Sequence, residues 1–123
     1  MEYSFTIEGR LPGINELINA DRRDAHAGNR IKREAQEAVQ MYIFRDLHRL
    51  RIDNPVRLRY RFYEKNKKRD LDNISGFAHK VIQDALVASG VLKNDGWANI
   101  VGMEDAFFVD SARPRIEVTI EVI

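Results

Sequence analysis

Residues 56–89 have the sequence VRLRYRFYEKNKKRDLDNISGFAHKVIQDALVAS, which predicts a strand, a basic loop and a helix in succession. In its first part, apolar side chains alternate with Arg57, Arg59 and Arg61, and this two-residue period indicates a half-buried strand. In its last part, apolar residues recur at steps of three and four, which is typical of a helix with one buried face. The predicted apolar stripe is Ile74, Phe77, Ala78, Val81, Ile82, Ala85 and Leu86.

The sequence on either side extends this unit to the order β-α-β-α-β-β. The predicted elements are strands at 2–9, 56–63, about 99–109 and 116–122, and helices from Arg30 to about Arg51 and from Asp72 or Asn73 to Ser89. The segment from Asn15 to Asn29 has few large apolar residues and is predicted to be a long loop that orders on binding. We therefore expect an α+β fold, a mixed sheet with two main helices packed on it.

Length and composition narrow the class of protein. A chain of 123 residues is long enough for one domain, expected to span residues 1–123, with a core that needs no crosslinks. The absence of cysteine excludes a disulfide framework, a zinc-thiolate site and a thiol nucleophile. No segment has the pattern of a signal peptide or the length of an apolar membrane span. We expect a soluble, cytoplasmic protein without membrane contacts.

Opposite charges are separated along the chain, although the formal net charge is only +1. Residues 45–69 contain ten basic and three acidic side chains, whereas residues 70–123 contain four basic and nine acidic ones. This separation predicts a surface that binds a polyanion, with a cation site at its edge. The predicted nucleic-acid contacts are Lys65, Lys67, Lys68, Arg69, Arg57, Arg59, Arg61, Arg22 and Arg23. The strand arginines fit a solvated sheet face equally well, and Arg22 and Arg23 fit a charged linker.

Asp70 and Asp72 directly follow the basic loop. In an extended backbone, residues two apart point to the same side, so these carboxylates can converge on one divalent cation. The basic run beside them would attract a phosphate backbone, which is the layout of a metal-dependent phosphodiesterase. The ordinary alternative is a solvated loop in which Asp72 caps the helix and Asp70 neutralises Arg69.

Other kinds of site are excluded by spacing. A calcium loop beginning at Asp70 fails because Ile74 and Val81 occupy positions that require oxygen ligands. The chain has no phosphate-binding glycine loop and no Gly-x-Ser-x-Gly element, and its three histidines lack metal-ligand spacing. After these exclusions, a site built from carboxylate side chains is the kind that the sequence still predicts.

Three motifs together resemble the RusA-type Holliday junction endonucleases, a family common in prophages. These motifs are Arg69-Asp70-Leu71-Asp72-Asn73, Lys80-x-x-x-Asp84-Ala85-Leu86, and Gly90 followed by a loop with Asp95. The resemblance implies a homodimer that cuts four-way DNA junctions by paired, symmetric nicks in recombination and repair. It also implies dependence on magnesium, which manganese can replace. By motif, the metal ligands are Asp70, Asp72 and Asp95, and these three form the catalytic set together with Lys80.

The sequence departs from the family pattern at two places. Asn94 precedes Asp95, where the family often has a second acid. Four additional residues separate Asp72 from Lys80, which moves the lysine by about one helical turn. A surface lysine is therefore an equally good interpretation of Lys80. A non-catalytic DNA-binding protein, and a metal-dependent nuclease acting on RNA or single strands, are the alternative functions.

The predicted helix length raises a geometric problem for the acidic trio. A helix from Asn73 to Ser89 is about 25 Å long, and the residues from Gly90 to Asp95 span about 17 Å at most. Asp95 therefore falls short of Asp72 in its own chain unless the helix ends early. Antiparallel packing of two such helices about a two-fold axis would place Asp95 of one subunit near Asp70 and Asp72 of the other. Trp97 is expected to serve core or dimer packing, or to stack on an unpaired base.

Overall fold

The computed structural model describes all residues from Met1 to Ile123. Seven elements follow one another along the chain: β1 (Glu2–Glu8), α1 (Ile14–Arg23), α2 (Ala25–Leu47), β2 (Val56–Glu64), α3 (Leu71–Ala88), β3 (Ile100–Val109) and β4 (Arg115–Val122). The strands form one sheet in the order β1-β4-β2-β3. Because β2 and β3 are parallel and the other neighbours are antiparallel, the sheet is mixed. The predicted α+β class is confirmed.

The alternation in β2 divides the sheet into an apolar face and a charged face. Val56, Leu58, Tyr60 and Phe62 are buried in the core, whereas the arginines between them are partly or fully exposed. All seven residues of the predicted stripe on α3 are buried in the same core. The helices therefore cover one face of the sheet and leave the other to charged side chains.

The prediction of a loop from Asn15 to Asn29 is wrong. This segment contains α1 and the first turn of α2, and α2 begins at Ala25 rather than Arg30. Only Leu17 and Ala20 of α1 are buried, so its apolar signal is short. The break between the helices is made by Asp24, whose carboxylate accepts a hydrogen bond from the backbone N–H of His26 and caps α2.

The two edges of the sheet differ. On β1, the backbone N–H of Thr6 donates to Asp46 (2.8 Å), and Arg45 donates to the carbonyl of Thr6 (3.0 Å). The end of α2 thus occupies this edge. On β3, no element pairs with the outer edge, and several apolar side chains remain about half exposed: Val101, Met103, Phe108 and Val109.

No helix of the chain combines the length and the hydropathy needed to cross a bilayer.

Candidate metal site and nucleic-acid surface

Asp70 and Asp72 lie at the start of α3. Asp70 is the N-cap residue, but its side chain forms no capping hydrogen bond, and Asp72 lies in the first turn. Both side chains are exposed, and neither carboxylate is bound to another group of the chain. The positive end of the helix dipole favours negative charge at this position. The contacts therefore do not support the capping alternative, and both carboxylates are available to bind a cation.

Arg69 is held by Glu64 rather than by Asp70. Its guanidinium donates to both carboxylate oxygens of Glu64, from Nε at 3.0 Å and from Nη2 at 2.8 Å. It also donates to the carbonyl of Leu11 at 3.1 Å. Glu64 is buried, and only 14% of the Arg69 side chain is exposed. This ion pair ties the end of β2 to the start of α3 and fixes the backbone that carries the two aspartates.

A second contact fixes the start of α3 to the start of α1. The backbone N–H of Asn15 donates to the side-chain oxygen of Asn73 (2.9 Å). Gly13 approaches so closely that a Cβ atom there would lie 2.5 Å from that oxygen. The close approach leaves no room for a side chain at residue 13, and Asp72 directly precedes the anchored Asn73.

Asp95 lies elsewhere in the chain, next to Lys80. The ammonium of Lys80 is 3.1 Å from Asp84 and 3.9 Å from Asp95. The hydrogen bond to Asp84 and the charges of both acids raise the pKa of Lys80. The lysine is 71% exposed and cationic, so it can meet a phosphate.

One chain does not bring the three predicted ligands together. Asp70 and Lys80 are ten residues apart, which is about 15 Å along α3. No group of three histidine, aspartate or glutamate side chains is close enough to hold one ion. Asp70 and Asp72 thus form one half of the predicted site, and Asp95 with Lys80 forms the other, in agreement with the estimate from helix length. The extended backbone that was expected to point Asp70 and Asp72 to the same side ends at Asp70, because Asp72 is already the second residue of α3. A magnesium ion takes only one or two carboxylates and keeps several waters, so the carboxylates at the start of α3 remain suitable ligands.

The predicted nucleic-acid contacts separate into two groups. Arg57 forms an ion pair with Glu121 (2.7 Å), and Arg59 pairs with Glu2 and lies 3.8 Å from Glu121. These contacts favour the solvated-face interpretation for both arginines. Arg69 is likewise bound to a carboxylate, that of Glu64. The other six predicted cations are exposed and form no ion pair: Arg61, Lys65, Lys67, Lys68, Arg22 and Arg23. Apart from Arg61, the available charge lies on the α1–α2 hairpin and on the loop before Asp70.

Two functional residues were not predicted from the sequence. Glu64 continues the inward-facing positions of β2, so the two-residue period of that strand already placed it on the buried face. Lys32 lines the cleft between the helices that also contains Lys80. Its position depends on the packing of α1 and α2 against α3, for which the sequence of Lys32 itself gives no signal.

An open cleft of about 610 Å³ borders Asp70. Its apolar wall comes from the start of α3 and the end of β3, and its polar rim comes from the basic loop. Its lining residues include Leu71, Phe107, Phe108, Val109, Asn66 and Lys67.

Residues 24–121 match the family model described as Endodeoxyribonuclease RusA. No curated protein sequence matches the chain.

Proposed function

Because the chain belongs to the RusA family of endodeoxyribonucleases, we propose that it is a magnesium-dependent enzyme that resolves four-way DNA junctions by paired, symmetric nicks. The observation that carries the proposal is the pair of unpartnered carboxylates, Asp70 and Asp72, at the start of α3. A prophage origin and a role in recombination and repair accompany this proposal. Manganese is expected to replace magnesium.

The residues around Asp70 and Asp72 supply a rigid base for the reaction. A bound magnesium ion would polarise the scissile phosphate and lower the pKa of a coordinated water. The buried Arg69–Glu64 pair and the Asn15–Asn73 hydrogen bond hold the carboxylates at one end of α3. This preorganisation lets the carboxylates meet the ion without a change of backbone.

Lys80 supplies positive charge to the phosphate. The hydrogen bond to Asp84 raises the pKa of Lys80, and Asp84 orients its ammonium through a 3.1 Å contact. A cation placed against a non-bridging phosphate oxygen stabilises the charge that develops in the transition state. Because Lys80 lies beside Asp95, both residues reach the reaction centre together.

The division of the ligands between two places supports a homodimer with shared sites. In each site, one copy contributes Asp70 and Asp72, and the other contributes Asp95 and Lys80. A two-fold axis produces two such sites at once, which suits paired nicks on a symmetric junction.

The DNA surface follows from the cations that have no internal partner. It consists of Lys65, Lys67 and Lys68 beside the carboxylates, of Arg22 and Arg23 on the α1–α2 hairpin, and of Arg61 on β2. These residues would neutralise phosphates on the arms of the junction. Arg57, Arg59 and Arg69 are engaged with carboxylates of the chain and are not part of the proposed surface.

The proposal is tested with a synthetic four-way junction and magnesium. We expect wild type to introduce paired nicks, and Asp70→Asn to bind the junction with similar affinity but to nick it at least about 100-fold more slowly. Junction binding without nicking by wild type would indicate the non-catalytic alternative. Preferential cleavage of RNA or single strands would indicate the other alternative.

Mixed dimers test whether the sites are shared. In a mixture of Asp72→Asn and Asp95→Asn chains, a shared-site dimer contains one intact site and one doubly altered site. We expect nicking on one side of the junction to return on mixing. If each chain held a complete site, no activity would return.

A further inference from the structure

Trp97 is the only tryptophan of the chain and has almost no contact with it. Its side chain is 97% exposed, the largest exposed fraction among the large apolar residues. This exposure removes the expectation that it packs in the core. A large aromatic ring in this position is typical of the anchor residues that dominate protein–protein interfaces.

The cleft beside Asp70 offers a place for such a ring. Leu71, Phe108 and Val109 are 56%, 44% and 50% exposed, so its apolar wall is open to solvent. Lys67 at the rim can lie over the face of an indole ring, and Asn66 offers an acceptor for the indole N–H. The volume of about 610 Å³ exceeds what one tryptophan side chain requires.

Trp97 cannot enter the cleft of its own chain. It precedes the first residue of β3, Ile100, whereas the cleft is lined by the last three, which end at Val109. The ten residues of β3 separate these ends by about 30 Å. The ring and the cleft therefore lie at opposite ends of one open sheet edge.

We propose that the cleft beside Asp70 binds Trp97 of a second copy of this chain, so that each copy closes the cleft of the other. A two-fold axis across the middle of β3 reverses one edge relative to the other and pairs each ring with the opposite cleft. The same patches meet on both copies, as an isologous interface requires. This docking rests on the proposed function in one respect: it gives the homodimer proposed there a defined contact surface.

Docking of Trp97 also completes the acidic site. Asp95 is two residues before Trp97, so their Cα atoms are at most about 7 Å apart. Asp70 lines the cleft that receives the ring. Asp95 of one copy is thereby carried to Asp70 and Asp72 of the other, and Lys80 comes with it.

The edges themselves do not join into a longer sheet. Glu104 and Asp105 lie at the middle of β3, where a two-fold axis would bring each near its own equivalent. Like charges in directly opposed positions oppose strand pairing. The contact is therefore made by side chains at the two ends of β3.

The fluorescence of Trp97 reports the docking directly, because the chain has no other tryptophan. The test is to measure the sedimentation of the whole protein and the fluorescence emission of Trp97 in the same samples. The samples contain no metal or DNA and cover a range of protein concentrations. We expect dimers whose emission is shifted to the blue and protected from acrylamide. On dilution to monomers, the emission should shift to the red and the protection should be lost.

Variants on the two sides of the contact should weaken association alike. Trp97→Ala and Val109→Asp are each expected to raise the dimer dissociation constant at least about 30-fold. Phe44, a 58% exposed aromatic residue on α2, gives the matched controls Phe44→Ala and Phe44→Asp, which should leave it unchanged. Circular dichroism verifies that each variant is folded.

Mixing tests the complementarity of the two partners. A heterodimer of Trp97→Ala and Val109→Asp chains retains one intact ring and one intact cleft that face each other. We expect it to form more tightly than either homodimer.

Three results would overturn the docking. One is a wild type that stays monomeric, and another is a dimer in which Trp97 has the emission of a solvated ring. The third is an emission that responds to DNA but not to protein concentration, since the ring would then stack on a base. Failure of the proposed function is separate: a dimer with docked Trp97 that does not nick junctions contradicts the activity alone.

Discussion

At the scale of single residues, the buried pair of Glu64 and Arg69 matters most for the position of the carboxylates. Burying two charges is costly, and the cost is recovered here by two short hydrogen bonds between them and by the Leu11 carbonyl. Such a pair adds little net stability compared with apolar residues. Removing one partner, however, leaves an uncompensated charge in the interior.

We therefore expect Glu64→Gln to lower the free energy of unfolding by about 3 kcal/mol, measured by urea titration. Glu8→Gln is the matched control, because Glu8 forms a similar two-bond pair with Arg113 at the surface. Its urea midpoint should change little. Equal effects of the two substitutions would contradict the structural role assigned to Glu64.

Tyr60 makes the free energy of unfolding depend on pH in alkaline solution. Its hydroxyl is buried in the core and accepts a hydrogen bond from Gln83 (3.2 Å), and burial raises its pKa above the ordinary value of about 10. Since the folded chain holds this proton more tightly than the unfolded chain, the stability from Tyr60 is complete below pH 10 and is lost as pH rises further.

We expect the free energy of unfolding of wild type to fall above pH 10, with up to about 1.4 kcal/mol per pH unit due to Tyr60. Tyr60→Phe removes this component, so its curve from pH 8 to 11 should be flatter. Parallel curves for the two proteins would show that the phenol is solvated.

At the scale of elements, the start of α1 and the start of α3 are built against each other. Gly13→Ala would place a Cβ atom against the Asn73 side chain, so either the asparagine or the first turn of α3 must move. We expect a loss of about 1–3 kcal/mol in stability together with slower junction nicking. Gly96→Ala, with open space around it, should cost much less stability. Unchanged stability of Gly13→Ala would show that the contact is not tight.

The elements themselves were predicted to different degrees. Strong periodicity made the strands and α3 predictable, because Val56–Phe62 and Ile74–Leu86 follow their two- and 3.6-residue periods without interruption. The α1 helix was missed although Ile14, Leu17 and Ile18 recur at helical steps, because this signal is short and lies among many polar residues. Asp24 and Gly28 then interrupt the pattern. Sequence motifs indicated the acidic residues of the site, but partners such as Arg69 with Glu64 depend on the fold.

At the scale of the whole molecule, the cations differ in whether they have an internal partner. The sheet face has Arg57 and Arg59 neutralised by glutamates, whereas Lys65, Lys67 and Lys68 are open to solvent. Because released counterions drive binding to DNA, only open cations should contribute strongly to the salt dependence.

We expect the triple substitution of Lys65, Lys67 and Lys68 by alanine to reduce the slope of log K against log salt by about 2 to 3 for a four-way junction. The matched double variant Arg57→Ala and Arg59→Ala removes two cations from the sheet face and should leave the slope nearly unchanged. The opposite result would mean that the junction lies across the sheet.

The unequal sheet edges limit how many copies can assemble. Arg45 and Asp46 form hydrogen bonds with the backbone of Thr6 at the β1 rim of the sheet. The rim along β3 has no such partner and is the bare one. The proposed contact between two copies covers that rim in both partners without strand pairing, and it leaves no further place for growth. A molecule bare on both sides would polymerise into fibres, whereas the proposed assembly stops at a pair.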